Sequence, residues 1–242
     1  MTANQIIDSV VGDLWNNSEI YNNVTYVVDN YGNRFMGTES EEKTKKFLFE
    51  LFEEYGLENV REEAYKYICW KRGECDVCML SPVERKIISF ALPHSGSTNF
   101  EGLEAEVIDL GKGTENDFVK NSDDIPGKIV MVTTGWPLGQ NIHRTTKYGW
   151  TIDFGGIGFI YRNETPGQLI ETGTVATGYR NTGEIPAIGV SYETGAFIER
   201  KMKKSPVILQ MKVTNEVQPN TTGWNVIGDI IDEQWVTRHH CY

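Results

Sequence analysis

The 242 residues include only four histidines, four cysteines and eight prolines. Sparse cysteine without regular pairing excludes a disulfide-stapled scaffold. No uninterrupted apolar run approaches the roughly 20 residues that cross a bilayer, which excludes a helical membrane span. Positive charge is also short. Lys and Arg total 23 against 34 Asp and Glu, a net charge of −11, which excludes a nucleic-acid backbone or an anionic membrane surface as the main partner. Residues Met1 to Val10 lack the basic lead and apolar run of a secretory signal, so the expectation is a soluble, cytoplasmic protein. In that compartment the four Asn-x-Ser/Thr sites at Asn16, Asn23, Asn163 and Asn220 read as chance matches. What is present, 39% hydrophobic and 24% charged residues, suits one large globular domain or two small ones. A small-molecule, peptide or protein partner fits that balance.

Ile6, Ile7, Val10, Val11, Leu14 and Trp15 recur at spacings of three and four, predicting an amphipathic helix that ends near Asn16 to Ser18. A second helix is expected from Glu19 to Asn30. Thr38 to Glu41 reads as a capping box for a third, with Phe47, Leu48, Leu51, Phe52 and Tyr55 as its apolar stripe and Gly56 as its left-handed close. The acids Glu39 to Glu42, Glu53 and Glu54 then face solvent.

Beyond Gly56 the texture changes to short runs between turn residues. Strands are expected over Val60 to Trp70, Asp76 to Leu80, Lys86 to Phe90, Ala105 to Leu110 and Lys128 to Thr133. A helix from His143 to Phe154 runs into Gly155-Gly156 and a strand from Ile157 to Arg162. A strand from Ile185 to Val190, a helix from Tyr192 to Lys203 and a strand from Val207 to Val213 follow. This spacing predicts a β-rich unit rather than a repeating β-helix-β array. Gln218 to Gly223 reads as a polar linker before a last strand from Trp224 to Ile231.

Chemistry-bearing groups are few. His94 and His143 lie away from any metal-ligand spacing and read as surface or hydrogen-bonded structural residues. His239 and His240 form only an adjacent pair. Cys75 and Cys78 have CxxC spacing, but no second pair accompanies them and no helix follows; structural thiols at a bulge or turn fit better. Gly155 to Gly158 follows a helix and opens a strand, the reverse of a dinucleotide-binding turn. Ser191 lacks the final glycine of a nucleophile elbow.

Arg34 to Lys43, with the helix that follows and Tyr55-Gly56-Leu57, resembles the opening of co-catalytic zinc exopeptidases of the carboxypeptidase Q and aminopeptidase group. Trp70 to Glu74 and Gly102 to Gly111 are similar to the same group in the same order. Asp124 to Val132 resembles the characteristic strand of a protease-associated (PA) domain. Lys147-Tyr148 with Gly155 to Ile160, and Ile185 to Ser191, resemble its later steps. Asn225 to Ile230 is similar to the strand by which the chain re-enters the exopeptidase domain. In that family a Gly-x-His-x-Asp motif follows. Here the chain reads Arg238-His239-His240-Cys241-Tyr242, so His239 or His240 falls at the histidine position with no Asp after it.

The expectation is therefore an α+β fold. Residues 1–62 are the N-terminal helical part of an α/β zinc-exopeptidase domain, 63–217 an inserted β-rich PA domain with flanking helices, and 218–242 a returning strand and C-terminus. The resemblance implies hydrolysis of peptides from one terminus by two zinc ions in the intact family, with a peptide or protein substrate. For this stretch itself no catalytic, cofactor or metal residue is expected, nor activity. A stand-alone PA-type module that binds a peptide or protein is the alternative. An exposed strand edge from Trp224 to Ile231 points to self-association.

Overall fold

The computed structural model describes residues 2–133, 142–177 and 180–231. The chain divides into two compact units, one of Met1–Lys66 with Thr221–Tyr242 and one of Tyr67–Asn220.

The first unit opens with helices α1 (Ala3–Asn17), α2 (Ile20–Tyr31) and α3 (Glu39–Glu54). A reciprocal capping box starts α1: Thr2 accepts from the Gln5 N–H, and Gln5 Oε1 accepts from the Thr2 N–H at 2.8 Å. At α3 only half of the expected box forms. Thr38 Oγ1 accepts from the Glu41 N–H at 3.2 Å, but the Glu41 carboxylate takes the N–H of Gly37 instead. The far end of α3 closes as expected. Gly56 sits at φ +72°, and Gly56 and Leu57 donate back to the Glu53 and Phe52 carbonyls, both at 3.0 Å, the paired bonds of a Schellman ending. Phe47, Leu48, Leu51 and Phe52 form the half-buried stripe. Tyr55 does not join it: its exposed hydroxyl accepts from Asn23 and donates to Glu19, each at 2.8 Å.

Among the described residues ten strands follow: β1 (Glu58–Lys71), β2 (Cys75–Ser81), β3 (Arg85–Lys86), β4 (Phe90–Ala91), β5 (Leu103–Asp109), β6 (Ile129–Thr133), β7 (Gly158–Arg162), β8 (Ala187–Val190), β9 (Ile208–Val213) and β10 (Glu216–Asp229). Helices α4 (Glu115–Lys120), α5 (Arg144–Asp153) and α6 (Tyr192–Met202) lie among them. β1 and β10 form a sheet of two, and the other eight form one sheet in the order β3-β2-β9-β5-β6-β7-β8-β4. Residues 218–223, expected as a linker, are part of β10. Their polarity reflects a strand with little buried face, where backbone pairing suffices.

The expected strand from Lys86 to Phe90 splits into β3 and β4, which pair with β2 and β8 at opposite edges of the eight-stranded sheet. Strands lie about 4.8 Å apart, so in a flat sheet those edges would stand about 34 Å apart. Three intervening residues let the chain reach at most about 14 Å between Lys86 and Phe90. The sheet must therefore curl until its edges nearly meet.

Within it β5, β6, β7 and β8 run parallel, with α4 between β5 and β6 and α5 between β6 and β7. That is a β-helix-β succession, contrary to the expectation. β6, β7 and β8 are buried almost throughout, so they read as short continuous apolar runs, as parallel strands covered on both faces do. α4 spans six residues behind a Thr114–Asp117 capping box, too short to show periodicity.

The register separates two faces. Val77, Met79, Val107, Ile129, Met131, Ile160, Ile188, Leu209 and Met211 share one, all buried. On the other, Val130, Val132, Phe159, Tyr161 and Ala187 pack with Leu110, Phe118 and Tyr148. Each fully buried side chain of this size contributes about 1.5–3 kcal/mol.

Gly155 and Gly156 are what let α5 sit so close. Gly155 has φ +79°, and Gly155 and Gly156 donate to the Ile152 and Thr151 carbonyls at 2.9 and 2.8 Å, a second Schellman ending. A Cβ on Gly156 would lie 2.6 Å from Thr151 Cγ2 and 3.0 Å from the Thr151 carbonyl oxygen. Gly156→Ala is therefore expected to destabilise by about 1–3 kcal/mol. Urea unfolding followed by far-ultraviolet circular dichroism would show a lower midpoint, and an unchanged midpoint would contradict this packing.

Candidate functional site

His94 and His143, the histidines among the described residues, both serve the fold. His94 sits at φ +66°, its Nδ1 lies 2.8 Å from Thr174 Oγ1, and its carbonyl accepts from the Gly183 N–H at 3.0 Å. Burial lowers its pKa. His143 caps α5, its Nδ1 accepting from the Thr145 N–H at 3.3 Å. His239 and His240 lie outside the described residues.

Cys75 and Cys78 pair with Val213 and Gln210 in a regular register that shifts only between Met79 and Ser81. This corrects the expected bulge or turn at the CxxC. Three positions apart on a strand, the two thiols point to opposite faces and cannot grip one ion. Cys75 and Cys78 are free thiols, and burial raises the Cys75 pKa. Ser191 caps α6 by accepting from the Thr194 N–H at 3.2 Å. Among the described residues no three His, Cys, Asp or Glu side chains converge to hold a metal ion.

The structure instead assembles a cleft of about 340 Å³ against the outer face of α5. Thr145, Thr146, Gly149, Trp150 and Asp153 form one wall; residues 175–177 with Arg180 and Asn181 form the other. The second wall is pinned from behind: Val175 N–H donates to the Pro93 carbonyl at 3.0 Å, and Arg144 Nε donates to the Thr174 carbonyl at 2.8 Å. Glu171 balances the same guanidinium at 3.6 Å. The cleft thus offers an aromatic surface, hydroxyls, an amide, one cation and one acid, a set suited to a polar chain laid along α5.

Two cations lie deeper. Lys147 is 1% exposed, and its Nζ donates to the Thr133 carbonyl at 2.8 Å beside the Tyr161 ring, 5.9 Å away. Burial brings its pKa down to about 8 and pushes the Tyr161 phenol up to about 12. At the end of β7, Arg162 donates to Glu199 at 3.0 Å and lies over Tyr192, 4.9 Å from the ring. Its Nε and the hydroxyl of its cross-strand neighbour Thr133 are buried without a hydrogen-bond partner among the described residues. Asp109, at the end of β5, has its pKa raised by burial.

Sequence reading singled out none of Arg144, Lys147, Arg162 or Arg180 as functional. One signal was available for Lys147, which falls with Tyr148 and Thr151 on the buried face of α5. The other three are brought to their places by contacts distant in sequence.

Lys147 generates a test. Its folded pKa lies below its unfolded value, so between about pH 8 and 10 the unfolded chain holds the extra proton and this residue makes stability rise with pH. Below pH 8 its charge costs up to about 3 kcal/mol. Burial-raised Tyr148 and Tyr161 act in the opposite sense above pH 10. The difference in unfolding free energy between wild type and Lys147→Met is expected to move in favour of wild type from pH 8 to 10. A pH-independent difference in urea titrations would contradict it.

Residues 102–198 match the PA domain family. Along its length the chain is similar to carboxypeptidase Q of Xenopus laevis, 25% identical over 96% of this chain and 50% of the relative, and of Homo sapiens, 24% identical over 94% and 48%. The chain thus spans about half the length of the curated relatives it matches. Among solved structures, the peptidase M28 precursor from Shewanella amazonensis superposes with a TM-score of 0.71 at 21% identity, over 93% of this chain and 53% of that one. A zinc aminopeptidase from Bacillus subtilis superposes with a TM-score of 0.61 at 21% identity, over 86% and 45%. The mixed sheet and helices are those of an α+β protein with this kind of fold, and the chain is zinc-exopeptidase-like, with a PA domain at residues 102–198.

Proposed function

We propose that this chain is the front, PA-bearing part of a two-zinc exopeptidase that releases residues from one end of a peptide. Residues 63–217 are read as the insert, between 1–62 and 218–242 of the exopeptidase domain, and as limiting access to the catalytic centre. The observation that carries this reading is similarity along 96% of this chain that covers only half of a carboxypeptidase Q. The described residues do not fit a zinc pair. They contain two histidines, one holding a loop and the other capping α5, and no convergent set of three ligands. Without such a set neither metal affinity nor an activated water arises, so this stretch alone is read as inactive.

The purified chain, supplied with zinc and assayed on aminoacyl and dipeptide substrates, is expected to show no turnover above buffer. Turnover abolished by a chelator, or two zinc ions retained per molecule in metal analysis, would overturn the inactivity.

A stand-alone PA-type binding module is the second reading, favoured by the cleft on α5 and by the buried core of the Tyr67–Asn220 unit. The two readings part at the gene. Coding sequence beyond Tyr242 with further His, Asp and Glu motifs supports the exopeptidase; a stop codon supports the module. A cytoplasmic location is supported by the free thiols at Cys75 and Cys78.

We also propose self-association through the edge of β10, whose neighbour in its sheet is β1 alone among the described residues. Trp224 in β10 is 36% exposed, and Ile230 and Ile231, just past the end of the strand at Asp229, are 90% and 42% exposed, which supports an adhesive edge. Light scattering is expected to show mass rising with concentration, and a strictly monomeric protein at high concentration would end this proposal.

A further inference from the structure

Phe197, on α6, carries two cations from different elements: Arg85 of β3 lies 4.4 Å from its ring centroid and Lys201 lies 5.4 Å away. Just past it the chain reads Arg200-Lys201-Met202-Lys203-Lys204. Cations in a last helical turn complement the helix dipole, each by about 0.3–1 kcal/mol. That effect does not reach Arg85, which arrives from the sheet edge. Lys203 is neutralised by Glu199 at 2.9 Å, and the neighbouring Lys86 by Asp76 at 2.9 Å. Arg85, Arg200, Lys201 and Lys204 make no ion pair among the described residues, in a chain with 34 acidic residues.

This face is concave. One cleft of about 410 Å³ is lined by Phe197, Arg200, Lys201, Lys203 and Lys204. A second, of about 360 Å³, shares Lys203 and Lys204 and continues past Pro206 to Val207. On the other side of Phe197 a third, of about 170 Å³, holds Arg85 and Ile88, the latter 69% exposed.

We propose that this basic face of the Tyr67–Asn220 unit docks an acidic peptide segment bearing an apolar residue. Its carboxylates are taken by Arg85, Arg200, Lys201 and Lys204, and its apolar side chain by Phe197 and Ile88. A peptide fits better than an anionic bilayer. The cations line clefts rather than a plane. The docking uses these residues alone and stands apart from the exopeptidase reading, since its test involves no hydrolysis.

The test is fluorescence anisotropy with the full chain and a labelled peptide of four glutamates around one leucine, at about 50 and about 300 mM salt. Saturable binding is expected at low salt, weakened about tenfold by the higher salt and about tenfold by the pair Arg200→Glu and Lys204→Glu. Arg85→Ser, on a separate element, is expected to weaken binding with every residue of α6 retained, while Lys120→Glu on α4 leaves it unchanged. Equal binding of a lysine-for-glutamate peptide, undiminished affinity in the variants, or capture by phosphatidylserine vesicles without peptide binding would overturn the proposal.

Discussion

Ile87, Ile88 and Ser89 are all the chain between β3 and β4, strands that sit at opposite edges of one sheet. Backbone length leaves no other solution than a curled sheet. An eight-stranded curl encloses only enough space for side chains, so the helix-covered face must be the outer one. The residues opposite it, including Met79, Met131 and Met211, fill the inside. Unbranched methionine adapts to an irregular interior of this kind. Polar groups then collect where strands end, as Asp109, Thr133 and Arg162 do.

Helix ends were the most legible part of the sequence because their signals are local. Gly56 and Gly155 both take positive φ where a helix must stop, and a glycine there announces itself. The parallel strands were legible as strands but not as a parallel set. Buried runs such as Ile129–Thr133 have no alternation to show a face, and α4 was invisible between them. The division of 86–90 into two strands depends on pairing with β2 and β8, partners that local pattern does not name. The same holds for the cleft. Arg144 and Arg180 are ordinary surface-type residues until the segment at 173–177 folds back beside α5, where Gly173 allows the Arg144 guanidinium its close approach.

Burying Lys147 and Arg162 has a cost that the core must offset, and the manner differs. Arg162 keeps a carboxylate and an aromatic face, so its charge is retained close to neutralised. Lys147 has a backbone carbonyl and a more distant ring, and its proton is held less firmly as a result. Both tie the carboxyl ends of β6 and β7 to a helix. They fix the rim from which the α5 cleft and the α6 face project.

The carboxylates near that rim are already engaged. Glu199 serves Arg162 and Lys203, Glu171 balances Arg144, and Glu193 accepts from the Gly167 and Gln168 N–H groups. Asp109 accepts from the Gly111 N–H at 2.9 Å. A metal pair would have to pull such groups from bonds that hold loops in place, which would expose the rim the cleft depends on. These carboxylates of the Tyr67–Asn220 unit thus serve its fold.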